Sequence, residues 1–455
     1  MKSFYSSFAI LFTSFLFISC EKFLDVEPKE LTSDQITITD ENSARTAVRG
    51  LYNQLGSNGY YGYTFQTLGF FSGDNIQYVG SQTVNQQLTN HDVKSDLGAV
   101  STAWTAIYKT INRANNVLSK VPGIALTSTF TETAKNQLLG EAHFVRALAY
   151  FDLARTWGGV QIVLEPTASA TGRDNVKRST LAETYAQVLA DLTKAESLLP
   201  ETVNRIRATK STVWALRARY HLYQQQWAEA ETYATKIISD KANYQLHSPW
   251  SSFFANNAQA TSESVLELFY TTTVTNNQAS QWQPSTKGGV GWIKPTNALV
   301  ALLNDPEIGG ARNALIQRVL INGVENWFGN LYYRTNGTDP AFLIRVAELY
   351  LIRAEARAQL NNVSGAIEDV TAIRESAGIT QPVADNISKT DLLLVIENEN
   401  RLEFALENHR WYDLVRTNRA ATVLGIADPN KLLLPVPFSE TIVDKQLEQN
   451  PGYGQ

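Results

Sequence analysis

One cysteine in 455 residues, Cys20, excludes an intramolecular disulfide. The fold must therefore be held by a buried apolar core, which a chain of this length can supply. Methionine is confined to the initiator. The five histidines, His91, His143, His221, His247 and His409, stand at least 26 residues apart, which leaves no local metal motif. After Ile18 no apolar run approaches the roughly 18 residues of a transmembrane helix. Charged residues make up only 18% of the chain, the net charge is −5, and there is no Lys/Arg block. Nucleic acid and anionic membrane surfaces are thereby disfavoured as main partners. Gly288-Gly289-Val290-Gly291 lacks the lysine of a phosphate loop, and Gly69-Phe70-Phe71-Ser72-Gly73 is misspaced for a nucleophile elbow.

Against these absences, the amino terminus is explicit. Lys2 precedes an apolar run from Phe4 to Ile18, which is too short for a comfortable membrane span and ends at small Ser19 and Cys20. Leu16-Phe17-Ile18-Ser19-Cys20 resembles a bacterial lipobox, with Phe17 where leucine is usual. The reading is a lipoprotein signal peptide over 1–19, lipidation at Cys20, and an extended lipidated leader over 20–40.

Helical periodicity begins at the Asp40 cap and covers Glu41–Leu55, Ala103–Lys120 and Ala134–Arg155. Trp214, Ala218 and Ala230 recur as Tyr350, Ala354 and Ala366, 136 residues later. A bulky ring followed by small residues at those offsets is what tetratricopeptide-type helix pairs need, because alanine lets two helices approach closely. A third pair is read from Gly140–Arg155 with Ser179–Leu199, and a fourth from Thr390–Glu407 with His409–Asn418. The expected fold is mainly α, with helix pairs over 41–240 and 341–455. Two stretches break the pattern: Gly56–Leu97, read as a long loop, and an irregular aromatic-rich excursion over 241–340. Within the latter, Glu263–Thr272 reads as a strand and Asn297–Leu303 as a short helix.

Catalysis finds little support. Glu399, Glu403 and Glu407 share a helix face at i, i+4 spacing, and a surface hydrolase built on Glu399 and Glu403 is the outlying reading. Arg401, His409 and Arg410 lie close in sequence and are expected to pair with these acids in a structural charge network. No catalytic residue, metal ligand or cofactor is assigned.

The same acids belong to Arg401-Leu402-Glu403-Phe404-Ala405-Leu406-Glu407-Asn408-His409-Arg410-Trp411-Tyr412-Asp413-Leu414-Val415-Arg416, which resembles the C-terminal signature of the SusD/RagB family. Asn408 stands where the family usually has glycine, a substitution that a left-handed helix end would tolerate. Gly140 to Ala147 running into Trp157-Gly158-Gly159-Val160, Ile344 to Ala356, Leu433-Leu434-Pro435-Val436-Pro437, Asn450-Pro451-Gly452-Tyr453 and Phe23-Leu24-Asp25 agree with it. The resemblance implies a surface lipoprotein of the outer membrane in Bacteroidetes-type bacteria, with four tetratricopeptide-like pairs and an irregular, loop-rich ligand-binding region. It implies no enzyme, but a protein that captures nutrients, usually oligosaccharides and in some relatives peptides, as a lid on a SusC-type TonB-dependent transporter. The helix pairs would contact the transporter, and the irregular segments would carry the ligand.

A sugar rests its C–H faces on aromatic rings and needs amide, carboxylate or guanidinium partners for its hydroxyls. Both irregular regions have that composition. The candidates are Tyr61, Tyr63, Asp74, Asn75 and Tyr78 from the first, and Trp282, Trp292, Trp327 and Tyr333 from the second. Trp104, Trp214 and Trp411 lie on periodic helices and are assigned to the core.

Overall fold

A computed structural model describes residues 38–167 and 176–454. The signal peptide, Cys20 and most of the leader lie outside the described residues. The first helix, α1 (Glu41–Leu55), opens at Asp40, whose carboxylate accepts from the Ser43 amide at 2.8 Å while Ser43 Oγ accepts from the Asp40 amide. There follow α2 (Thr64–Ser72), β1 (Ile76–Tyr78), α3 (Gly98–Lys120), α4 (Glu132–Trp157), α5 (Leu181–Leu198), α6 (Lys210–Tyr223) and α7 (Trp227–Ile238). The irregular stretch then contributes β2 (Ser264–Leu268), β3 (Ile293–Pro295), β4 (Ile316–Ile321) and β5 (Val324–Gly329), before β6 (Ala341–Arg345) leads into α8 (Val346–Gln359). There follow α9 (Val363–Ser376), α10 (Lys389–Glu403) and α11 (Arg410–Arg416), and then shorter helical turns at Ala420–Leu424, Pro429–Leu432 and Phe438–Val443.

The chain is mainly α, as expected. Helices pack in the pairs α4/α5, α6/α7 and α8/α9, with α7 against α8 joining the last two; the expected fourth pair is looser, α10 lying mainly on α8 and α9 and α11 mainly on α2. The 136-residue repeat extends beyond its alanines. Helices α6 and α8 occupy equivalent positions, Ala218, Ala230, Ala354 and Ala366 are all fully buried, and both turns pass through a left-handed residue, Gln225 (φ 54°) and Asn361 (φ 64°). Trp214 sits at the edge of the core rather than inside it, its indole N–H on Glu196 at 2.8 Å and Lys236 over its ring. Trp104 and Trp411 are buried as expected.

The stretch Gly56–Leu97 is less of a loop than its sequence suggests. Helix α2 is buried along almost its whole length, so it has no amphipathic period to betray it. Its Gly69 lies against the Asn408 carboxamide so closely that a Cβ would overlap Asn408 Oδ1. Asn408 is not in the left-handed region; the helix that faces it carries glycine instead, and this makes room for the larger side chain at the family's glycine position.

Among the described residues the strands form three two-stranded antiparallel ribbons. The β4/β5 hairpin turns on Asn322-Gly323, both at positive φ (51° and 78°), the pairing that a two-residue hairpin favours. The β2/β6 ribbon is fully buried and places Arg345 in a charge cluster. Its guanidinium donates to Glu263, to Glu403 at 2.9 Å and to Glu407 at 2.8 Å, between the rings of Phe253 and Phe404. Arg312 bridges Glu403 and Glu399, both at 2.9 Å, and Arg374 completes Glu399 at 2.7 Å. The signature glutamates thus form a structural network, but their partners are not those expected. Arg401 and Arg410 turn to Asp74 and His409 stacks on Phe404, because Arg401 is offset by two residues from Glu399 and Glu403 and so leaves their face, while His409 and Arg410 lie beyond the end of α10 at Glu403.

Burial opposes ionisation of Glu403, but Arg345 and Arg312 outweigh it and hold the carboxyl below its usual range. Glu263 has less compensation, since burial and then the Glu403 charge work against the pull of Arg345, and it is raised to about 7. A raised pKa means that the folded chain holds this proton more tightly than the unfolded one. The contribution is complete below the ordinary value of 4.5 and is lost as pH rises through about 7. The melting temperature of the native chain is therefore expected to fall, relative to that of Glu263→Gln, as pH rises from about 4.5 to about 7 and to level off above it, as read by calorimetry. Separately, Gly69→Ala is expected to cost about 1–3 kcal/mol by overpacking, and Asn408→Gly in the same chain to restore most of it in denaturant titrations.

Candidate functional site

The structure divides the sequence-predicted site residues into anchors and surface groups. Tyr61 is an anchor: like Tyr60, it donates its hydroxyl to Asp152 Oδ2, at 2.7 and 2.6 Å, and burial followed by the Asp152 charge raises its pKa far above the ordinary value. Asp74 and Asn75 are anchors too. Asp74 takes Arg410 at 2.7 Å and Arg401 at 3.0 Å, and although burial opposes its charge these cations hold the carboxyl below its usual range. Asn75 accepts from Arg401 Nε at 2.7 Å and donates to the Arg401 carbonyl. Trp282 is 0% exposed, with its N–H on Gln278, the edge of Phe70 against it and Gly329 directly on its ring. A ring so enclosed offers no face to a ligand.

Tyr63 is half-buried, with its hydroxyl 3.4 Å from Gln281 Oε1. Tyr333 lines a separate open cavity of about 410 Å³ with Asn257, Gln259, Arg334, Thr335, Asn336 and Thr338. Another cavity, about 480 Å³, lies among the helix pairs, where Arg416 pairs with Glu355 and Arg410 and Arg419 with Glu397. Among the described residues no cluster of His, Asp, Glu or Cys could hold a metal ion.

The two irregular regions meet where β1 pairs with β3, in the register Ile76↔Pro295, Gln77↔Lys294 and Tyr78↔Ile293. Alternation turns Ile76, Tyr78, Ile293 and Pro295 inward, and all four are buried. The other face carries Gln77 and Lys294, and one step further Val79 and Trp292, joined by the Val79 amide on the Trp292 carbonyl at 2.8 Å. Val79 is 47% exposed and Trp292 partly so. Tyr78 supports the indole edge-on at 6.2 Å, and its hydroxyl accepts from the Gln82 amide. The β4/β5 hairpin packs alongside and continues the surface: Lys294 donates to Asn326 Oδ1 at 3.0 Å and lies 4.4 Å above the Phe328 ring.

Trp327 does not join Trp292. It stands across from Arg318 on the opposite face of the hairpin from Asn326 and Phe328, with its N–H on Glu325 at 2.8 Å. Of the sequence candidates, this face carries Trp292, with Tyr78 buried behind it; Gln77, Val79, Lys294 and Asn326, which lie on the face, are not among those candidates. Period-two alternation in Ile76-Gln77-Tyr78-Val79 and Trp292-Ile293-Lys294 was the available signal. The resulting surface is a ring and a valine edged by two amides and a cation, with no nucleophile paired to a base. Its polar groups are of the kind that can pair with hydroxyls.

Helix pairs carrying an outward strand surface define a helical-repeat binding scaffold. Two family profiles match, one described as starch-binding associating with outer membrane over residues 22–222, the other as the SusD family over residues 268–431. A SusD-like protein of Formosa agariphila is 28% identical, with 98% of each chain aligned. Among solved structures, a SusD superfamily protein from Bacteroides vulgatus superposes with a TM-score of 0.81 at 19% identity, covering 91% of this chain and 99% of that one. A laminarin-binding SusD-like protein gives 0.79 at 23% identity, covering 91% and 100%. The chain belongs to the SusD/RagB family.

Gly80 lies where a Cβ would come within 2.8 Å of Trp292 Cγ and against the Tyr78 hydroxyl. Gly80→Ala is therefore expected to lift the indole from its seat at a cost of about 1–3 kcal/mol, read as a lower melting temperature together with a changed near-ultraviolet dichroism.

Proposed function

We propose that this chain is a cell-surface lipoprotein that captures oligosaccharides on the face formed by Gln77, Val79, Trp292, Lys294 and Asn326, and delivers them to a SusC-type TonB-dependent transporter. The observation that carries the reading is that outward face: an indole stacks the C–H side of a pyranose while flanking amides pair with its hydroxyls. Family membership supports it, as do fold relatives named for binding laminarin and, in a surface glycan-binding protein from Bacteroides thetaiotaomicron, for a laminarihexaose complex. A lipid on Cys20 tethers the chain to the outer membrane. The helix pairs, whose lining charges are satisfied among themselves, are the surface left for the transporter. The hydrolase reading loses its residues, since Glu399 and Glu403 are buried and engaged by arginines. No cofactor or nucleic acid has a part in this function.

Calorimetric titration against a panel of oligosaccharides, with a mixed peptide digest for comparison, tests the proposal. Saturable heat is expected with one glycan class, and Trp292→Ala is expected to weaken it about tenfold or more while leaving stability near native. Trp282→Ala should instead cost about 3–5 kcal/mol of stability, as a large cavity does. Heat with peptides and none with any glycan would sink the glycan reading and favour peptide capture.

A further inference from the structure

The Trp292 face holds a cation with no carboxylate partner among the described residues. Many buried arginines are met by carboxylates, as Arg146 is by Asp191, Arg219 by Glu348 and Arg345 by three glutamates, and buried Lys135, which lacks one, is met by two backbone carbonyls. Lys294 has neither. Among the described residues its ammonium has only the Asn326 amide oxygen at 3.0 Å and the Phe328 ring face at 4.4 Å. These contacts fix its position without neutralising it. Burial alone lowers its pKa, with no carboxylate opposing the shift.

A second lysine shares the same side of the hairpin. Lys287 donates to Gln317 Oε1, and Gln317 stands directly across from Phe328, beneath Lys294. It too lacks a carboxylate partner among the described residues. The hairpin's own acid, Glu325, points to the other face, where Arg318 and Trp327 occupy it. The surface beside Trp292 therefore carries two unanswered positive charges on a chain whose net charge is −5.

We infer that the sugar taken by the Trp292 face is an anionic one, whose carboxylate or sulfate group pairs with Lys294 while the adjoining ring stacks on Trp292. This rests on the glycan-capture reading above and names its ligand class. Lys294 and Trp292 are two residues apart on one strand face, a spacing of roughly 7 Å, which matches a charged substituent at the edge of a stacked pyranose. A neutral glucan would leave the ammonium half-desolvated and unpaired, whereas an anion replaces the lost hydration with a charge-assisted hydrogen bond.

The test is calorimetry on the full mature chain with oligogalacturonates, sulfated galactan oligomers and neutral β-glucan oligomers of equal length. One or both anionic series are expected to bind about tenfold tighter than the neutral one, with the advantage shrinking at high salt. Lys294→Met, which keeps the aliphatic stem, should erase that advantage, bringing the anionic oligomers to the affinity of the neutral ones, and Lys294→Arg should retain it. Preference for uronates over sulfates, or the reverse, supports the inference and identifies the acid group. Neutral oligomers binding as tightly as anionic ones, with Lys294→Met silent, would overturn the inference and leave glycan capture standing. Silence with every glycan would overturn both.

Discussion

The β2/β6 ribbon and the signature glutamates are organised around burying the Arg345 guanidinium. An arginine at 0% exposure is costly unless its donors are met, and this one is met by three glutamates and a backbone carbonyl. Meeting them fixes the β2/β6 ribbon, the end of α10 and the turn beyond it against one another. Glu403 then brings in Arg312 and the Trp250 indole N–H, and Glu399 brings in Arg374, so the network spans the irregular stretch and two helix pairs. Removing any one member leaves the others charged and dry, which gives the cluster an all-or-none character.

The face beside Trp292 depends on the same helix at one remove. Arg401 and Arg410 flank the acidic run and reach out of it to Asp74 and Asn75, the two residues immediately before β1. Thr296, immediately after β3, closes the joint by donating its amide to the Asn75 carbonyl and its hydroxyl to the Asp74 carbonyl. The open ribbon is thus clamped at one end to Arg401 and Arg410 and left free at the other, where Val79, Gly80 and Trp292 meet solvent. A rigid base with an exposed tip is what a recognition surface requires, since positions are held while faces stay accessible.

This arrangement explains which residues were legible in the sequence. The helix pairs were, because α6 and α8 repeat both their period and their small residues. The C-terminal motifs were legible as motifs, but their reason was not: Asn450 ties the Trp157 and Leu434 carbonyls together and Trp157 donates to the Pro435 carbonyl, the two Trp157 contacts crossing nearly three hundred residues of chain. Helix α2 was hidden because a segment buried on all sides has no polar face to set a period. Asp74, Asn75, Tyr61 and Trp282 were drawn into the candidate site by composition alone, and composition does not distinguish an amide or ring that meets a sugar from one that meets Arg401 or Gly329. Strands of three residues are too short to announce themselves. Only their pairing, set by contacts more than two hundred residues apart, turns Gln77 and Lys294 to the same side.

The openness of the face carries a further consequence. One indole, one valine and a few polar groups on a ribbon bury far less of a ligand than a closed pocket does, and association must first offset lost translational freedom. Binding to such a face is modest and its release fast, while specificity comes from the groups at its edge rather than from enclosure. For the proposed capture role that balance is an advantage, because a tighter site would have to be undone at every transfer. The fixed position of Lys294 fits this logic. Held by Asn326 and Phe328 before any ligand arrives, it offers its charge without first ordering a flexible side chain, so discrimination is added without the slow release that deep burial would bring.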